Sequence, residues 1–255
     1  MNLIKNRNVL IICPGSSLNK YSKRIKKYIR KNNITTIGCN NISKFIIPDY
    51  HVWGDPLRYE RFGYTSSEKS IMVFPSDSYH KTTVKKAYPG RCKIIKFKNA
   101  ASKDFKRMKE KGMSMEDFKK AIVNKTYKIK YDGEYIHGRF RAIGCLVILW
   151  CYFQKADSID IVGMDGYSLH NEASYSEEEN SRYFYNSKMD GYDSCSSNRI
   201  VGDMNHKEFY DFSYKKDGDI YKNLKDIRKL GVKFEILTPT VYKKFYNSSI
   251  LSKKG

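Results

Sequence analysis

The 255-residue chain is 40% hydrophobic, enough for one large domain with a real core, which excludes disorder over its bulk. Lys and Arg number 48 against 27 Asp and Glu, a formal charge of +21, and such an excess favours polyanionic surroundings: nucleic acid, an anionic membrane face or phosphorylated small molecules. A uniform polybasic coat is excluded, because residues 81–130 hold 17 Lys/Arg and 4 Asp/Glu whereas residues 155–195 hold 3 and 9.

From the N-terminus, Asn8 to Cys13 is a continuous apolar run ended by Pro14, Gly15, Ser16 and Ser17, the pattern of a strand buried on both faces. Leu18 to Lys31 follows as a helix with Tyr21, Ile25, Tyr28 and Ile29 among lysines. Strands are predicted at Ile34–Cys39, Tyr50–Trp53, Ile71–Phe74 and Lys93–Phe97, with helical pieces between them. The alternation points to an α/β fold, a mostly parallel sheet with helices on both faces.

The basic 81–130 stretch interleaves Phe97, Phe105, Phe118, Tyr127 and Tyr131. It reads first as solvated helix faces with apolar undersides and second as a nucleic-acid surface, so nucleic acid is not the favoured partner. Gly138 to Lys155 is apolar nearly all round, as a helix packed on a sheet is, and its longest apolar run is too short to span a bilayer. Ser158–Val162 is a strand ending at Gly163. Residues 164–205 are polar and long for a connection, which makes them a lid or acceptor loop.

The last unit reads as a helix capped by Asp217 or Asp219 and stopped at Gly231, a strand over Val232–Leu237 and a closing helix over Thr240–Asn247. On this reading Asp217-Gly218-Asp219 is a cap rather than a metal motif. Six cysteines (13, 39, 92, 145, 151 and 195) form no C-x-x-C pair, and no signal peptide opens the chain, so a cytoplasmic protein with reduced thiols is expected. No repeat or linker divides residues 1–255, which are expected to be one domain.

Ligands of open α/β sheets bind beyond the carboxyl ends of the strands. Four such ends are chemically rich: Pro14-Gly15-Ser16-Ser17, whose backbone N–H groups can hold a phosphate at the start of a helix; Cys39-Asn40-Asn41; Gly54-Asp55-Pro56; and Gly163-Met164-Asp165-Gly166-Tyr167. Together they make a nucleotide crevice the expected site. The absence of G-x-S-x-G around Ser16 and Ser17 argues against a hydrolase nucleophile, and no Cys/His spacing suits zinc.

These four ends, with the interval from Gly144 to Asp165, resemble the bacterial sialyltransferases of glycosyltransferase family 42, in order over roughly 8–240. The resemblance implies a GT-A-variant, Rossmann-like fold and inverting transfer of a sugar from a CMP-type donor to a glycan hydroxyl, with no metal or other cofactor. It places nucleotide contacts on Gly15, Ser16, Ser17, Asn40, Asp55, Gly144, Gly163 and Asp165, the leaving phosphate on Tyr167 and Tyr175, and the general base on His206. Its partners would be a nucleotide-sugar donor and a glycan acceptor; the concentrated positive charge, read by itself, suits peripheral contact at an anionic membrane, and an oligomer is left open.

The sequence departs from that family at Pro14 and Asp55, where asparagines are expected, and at Ile143, where a hydroxyl is. A second resemblance shares the departing features: Pro48-Asp49-Tyr50-His51-Val52 followed by Asp55-Pro56 is similar to proteins related to 6-hydroxymethylpterin pyrophosphokinase. That family would imply Mg-ATP chemistry, with Asp55 a metal ligand.

Overall fold

The computed structural model describes residues 4–54, 59, 60, 62–76, 92–100, 104, 106, 107, 110–112, 114, 127–166, 168 and 206–252, with the backbone alone for 206–214 and 252. Its main sheet has seven strands, all parallel: β1 (Asn8–Ile12), β2 (Thr35–Cys39), β3 (Tyr50–Val52), β4 (Ile71–Pro75), β5 (Cys92–Ile95), β9 (Ser158–Val162) and β10 (Glu235–Ile236). A second sheet joins β6 (Phe97–Asn99), β7 (Lys130–Tyr131) and β8 (Ile136–Gly138). The order in the main sheet is β10-β9-β1-β2-β3-β4-β5.

The chain therefore steps outward from β1 to β5 and later returns to the other side of β1. That reversal puts the topological switch point between β1 and β9, in register from Asn8 opposite Ser158 to Ile12 opposite Val162.

Burial follows the pleat. Val9 and Ile11 enter one core cluster and Leu10 and Ile12 the other, so both faces of β1 are covered and its sequence is apolar throughout. Helix α1 (Ser17–Asn32) lays Leu18 and Ile25 on the Leu10/Ile12 face and ends at Asn33, a left-handed residue (φ 47°) whose N–H donates to the Ile29 carbonyl. Helix α2 (Ile143–Phe153) covers the opposite face, and every residue from Gly144 to Cys151 is buried. Helix α3 (His206–Lys229) packs beside it through Ile220, Leu224 and Ile227, and a short α4 (Ser249–Ser252) lies against α1. Among the described residues no helix is long and apolar enough to cross a membrane.

Three expectations need correction. The strand predicted over 93–97 is divided at Lys96 between the two sheets. Ser76, just past β4, closes the first part: its hydroxyl accepts from Phe97 N–H (2.9 Å) and donates to the Phe97 carbonyl (2.8 Å), while Ile136 N–H bonds to the Lys96 carbonyl (2.9 Å) and starts the second.

The helix expected to begin at Asp217 or Asp219 begins at His206, so both aspartates are interior. Asp217 makes no cap because its carboxylate is engaged by Ser168 and Tyr242.

The closing helix over 240–247 is a single 3₁₀ turn, Lys243–Phe245, and the preceding strand shrinks to Glu235–Ile236. The backbone here bonds to the end of β9 instead of to itself: Val241 N–H donates to the Asp165 carbonyl (2.9 Å), and the Thr240 hydroxyl donates to the Met164 carbonyl (2.7 Å).

Candidate functional site

At the switch point the two chain ends close on one another. Gly15 N–H donates to the Gly163 carbonyl (2.9 Å), and Cys13 N–H donates to the Val162 carbonyl (2.9 Å). Gly163 has φ +71°, and a Cβ there would collide with the Cys13 carbonyl; a Cβ on Gly15 would strike the Gly163 carbonyl and the Asp165 carboxyl. Gly144, in the first turn of α2, fits against Met164 and the Cys13 thiol. The three glycines thus let β1, β9 and α2 approach within backbone distance.

Asp165 is buried, and its carboxylate accepts both the backbone N–H of Ser17 (2.8 Å) and the Ser17 hydroxyl (2.5 Å). Ser16, the residue preceding α1, makes no side-chain cap, so a residue 148 positions away supplies it. The positive end of the α1 dipole is answered by this internal carboxylate. A phosphate at the Ser17 amide would have to displace it, which moves anion binding away from the place the sequence pattern suggests. Within β9 itself the Tyr28 hydroxyl donates to Asp160 (2.6 Å), so α1 is fastened both to the strand and to the segment that follows it.

Asn40 ends β2 in a left-handed conformation (φ 55°) and is buried. Its side-chain oxygen accepts Gly54 N–H (3.1 Å), its own N–H donates to the Val52 carbonyl (2.7 Å), and its carbonyl pairs with His51 Nε2 (2.5 Å). It brackets the ends of β2 and β3. Gly54 packs tightly on Ile143, so the position where the family pattern expects a hydroxyl is apolar contact between β3 and α2.

His51 is fully buried beside Trp53, and its Nδ1 has no hydrogen-bond partner among the described residues. Burial pushes its pKa down to about 4, against the smaller opposing pull of the Asn40 carbonyl. The buried Cys39 thiol is held well above its usual range by its hydrogen bond with Cys13 and by burial.

Beyond β9, Ser168 is fastened to α3, and through it to the segment after β10. Asp217 Oδ2 accepts Ser168 N–H (2.7 Å) and its hydroxyl (2.6 Å), and Asp217 Oδ1 accepts the Tyr242 hydroxyl (2.8 Å). Beside it the segment entering α2 is tied to α3: Arg141 Nε donates to Asp219 (2.8 Å), and Asn223 bonds to Arg141 N–H and the Arg139 carbonyl. Burial, and after it the charge of neighbouring Arg141, lower the Arg139 pKa from its ordinary value.

The structure thus brings Gly15, Ser16, Ser17, Gly144, Gly163 and Asp165 into one cluster and sets Asn40 one strand from β1, past the end of β2. Asp55, Tyr167 and Tyr175 lie outside the described residues. His206 opens α3, about 16 Å of helix before Asp217, and its side chain too lies outside them. Sequence reasoning read Asp217 as a helix cap and missed Ser168, the Arg139/Arg141 pair, Thr240 and Thr238, whose hydroxyl oxygen accepts Gly163 N–H (2.9 Å). Thr238-Pro239-Thr240 at a strand end was a visible signal, and the rest had none.

Among the described residues no group of three or more His, Cys, Asp or Glu is arranged to hold a metal ion. No protein-family model matches the chain, and no curated protein matches it.

Proposed function

We propose that the chain is an inverting glycosyltransferase of the sialyltransferase type, moving a sugar from a nucleotide-activated, CMP-type donor to a glycan hydroxyl. The observation that carries the reading is the packing of Gly15–Ser17 against Gly163–Asp165 at the β1/β9 switch point, where open α/β sheets bind nucleotides. The capped α1 terminus supports a donor whose phosphate is met elsewhere, by tyrosine hydroxyls and fixed cations.

In the proposed reaction His206 takes the proton of the acceptor hydroxyl as that oxygen attacks the anomeric carbon, and the bond to the nucleotide phosphate breaks with its electron pair leaving on the phosphate. Tyr167 and Tyr175 donate hydrogen bonds to that phosphate. Arg139 and Arg141, just before α2, supply positive charge on the same side of the sheet. Ser168, held by Asp217, fixes the chain one residue after Tyr167, which favours Tyr167 for that role.

The test is a transfer assay with CMP-activated sugars against His206→Ala. Loss of turnover with nucleotide binding retained is expected; unchanged turnover removes His206 from the role.

A further inference from the structure

The solvent side of α1 has no part in the crevice, and its charge is of one sign. The helix contains Lys20, Lys23, Arg24, Lys26, Lys27, Arg30 and Lys31 and no acidic residue, and all seven cations are exposed. At 100° per residue they fall within an arc of about 160°, opposite buried Leu18 and Ile25. A solvated helix face ordinarily mixes both signs, because unrelieved like charges three and four residues apart destabilise the helix.

The face continues sideways. Lys26 Nζ lies over the Phe45 ring (5.3 Å), exposed Lys44 precedes that ring, and Ser43 bonds to Thr65 (3.2 Å). On this flank Ile47 and Tyr64 are 54% and 81% exposed. On the other side α4 packs against α1, with exposed Lys243 and Lys244 just before it.

We infer that this face, α1 with the 43–47 and 63–65 segments, is a docking surface for an anionic phospholipid bilayer. Charge complementarity supplies the attraction, and Ile47 and Tyr64 supply side chains suited to the headgroup boundary. A bilayer fits better than nucleic acid, since five of the seven cations are lysines, point charges without the bidentate fork, and an exposed aliphatic side chain stands beside them. Two hydrogen-bonded ties, Ser17 to Asp165 just after β9 and Tyr28 to Asp160 within it, hold α1 on the sheet, so docking requires no refolding.

The test is co-sedimentation of the full chain with vesicles of phosphatidylcholine alone and with about 30% phosphatidylglycerol. Binding is expected only to the anionic vesicles, lost by about 0.5 M salt as screening shortens to a few ångströms. The variant Lys23→Gln/Lys26→Gln/Lys27→Gln/Arg30→Gln, with an unchanged circular dichroism spectrum, should bind at least about a hundred-fold more weakly. The control Lys96→Gln/Lys98→Gln/Lys130→Gln, on the second sheet, should lose less than that. Equal loss in both variants, binding to neutral vesicles, or tighter binding to single-stranded nucleic acid than to anionic vesicles would each overturn the assignment.

Discussion

The Asp165 carboxylate holds Ser17 by both its amide and its hydroxyl, joining the end of β9 to the first turn of α1 across 148 residues. One buried side chain thereby does what a local cap does in most helices, and it ties the helix to the strand across the switch point.

Removing that carboxylate leaves the Ser17 amide and hydroxyl unpaired. Asp165→Ala should cost about 2–3 kcal/mol, read as a lowered urea midpoint at unchanged m-value. Ser17→Ala, which keeps the amide bond, should cost about 1 kcal/mol.

The glycines divide sharply. Gly163→Ala meets both the left-handed φ of +71° and the Cys13 carbonyl, and should cost upwards of about 2 kcal/mol or prevent soluble expression. Gly218→Ala, inside α3 with open space around it, should stabilise by about 0.5–1 kcal/mol. Thermal unfolding of the pair separates the two cases.

Asp217 and Asp219 are two residues apart and should behave differently. Asp217→Ala unfastens Ser168 and Tyr242 in a buried site and should cost about 2–3 kcal/mol. Asp219→Ala breaks only the partly exposed pair with Arg141 and should cost under about 1 kcal/mol. Chemical denaturation of both checks the ranking.

His51 gives the fold a pH dependence. Its folded pKa of about 4 lies below its ordinary 6.5, so the unfolded chain binds the proton more readily. The stability tied to neutral His51 is complete above about pH 6.5 and is lost as the pH falls toward 4, about 3 kcal/mol in all. Urea midpoints between pH 7 and 4 should fall less steeply for His51→Phe.

Much of the sheet was legible in the sequence, because a strand covered on both faces must be apolar at every position, as Val9 to Ile12 and Ile159 to Val162 nearly are. The Gly231 helix stop was legible for a local reason, the left-handed backbone it adopts, whereas Asn33, which ends α1 in the same conformation, was not read as a stop. The start of α3 was not, because Asp217 resembles a cap until its partners, 25 and 49 residues away, are known.

The site was half legible. Gly15, Ser17, Gly163 and Asp165 do converge, yet the hydrogen bonds between them, invisible in a linear pattern, engage groups that the pattern alone would offer to a ligand.

The central claim is that a CMP-type nucleotide sits at the β1/β9 switch point. The most direct measurement is amide NMR of the labelled chain titrated with CMP, UDP, GDP and Mg-ATP. CMP should perturb the amides of Gly15, Ser17, Asn40 and Gly163 at saturable concentration, ahead of the other three. A spectrum unmoved by CMP, or one in which only Mg-ATP shifts those amides, would contradict the account.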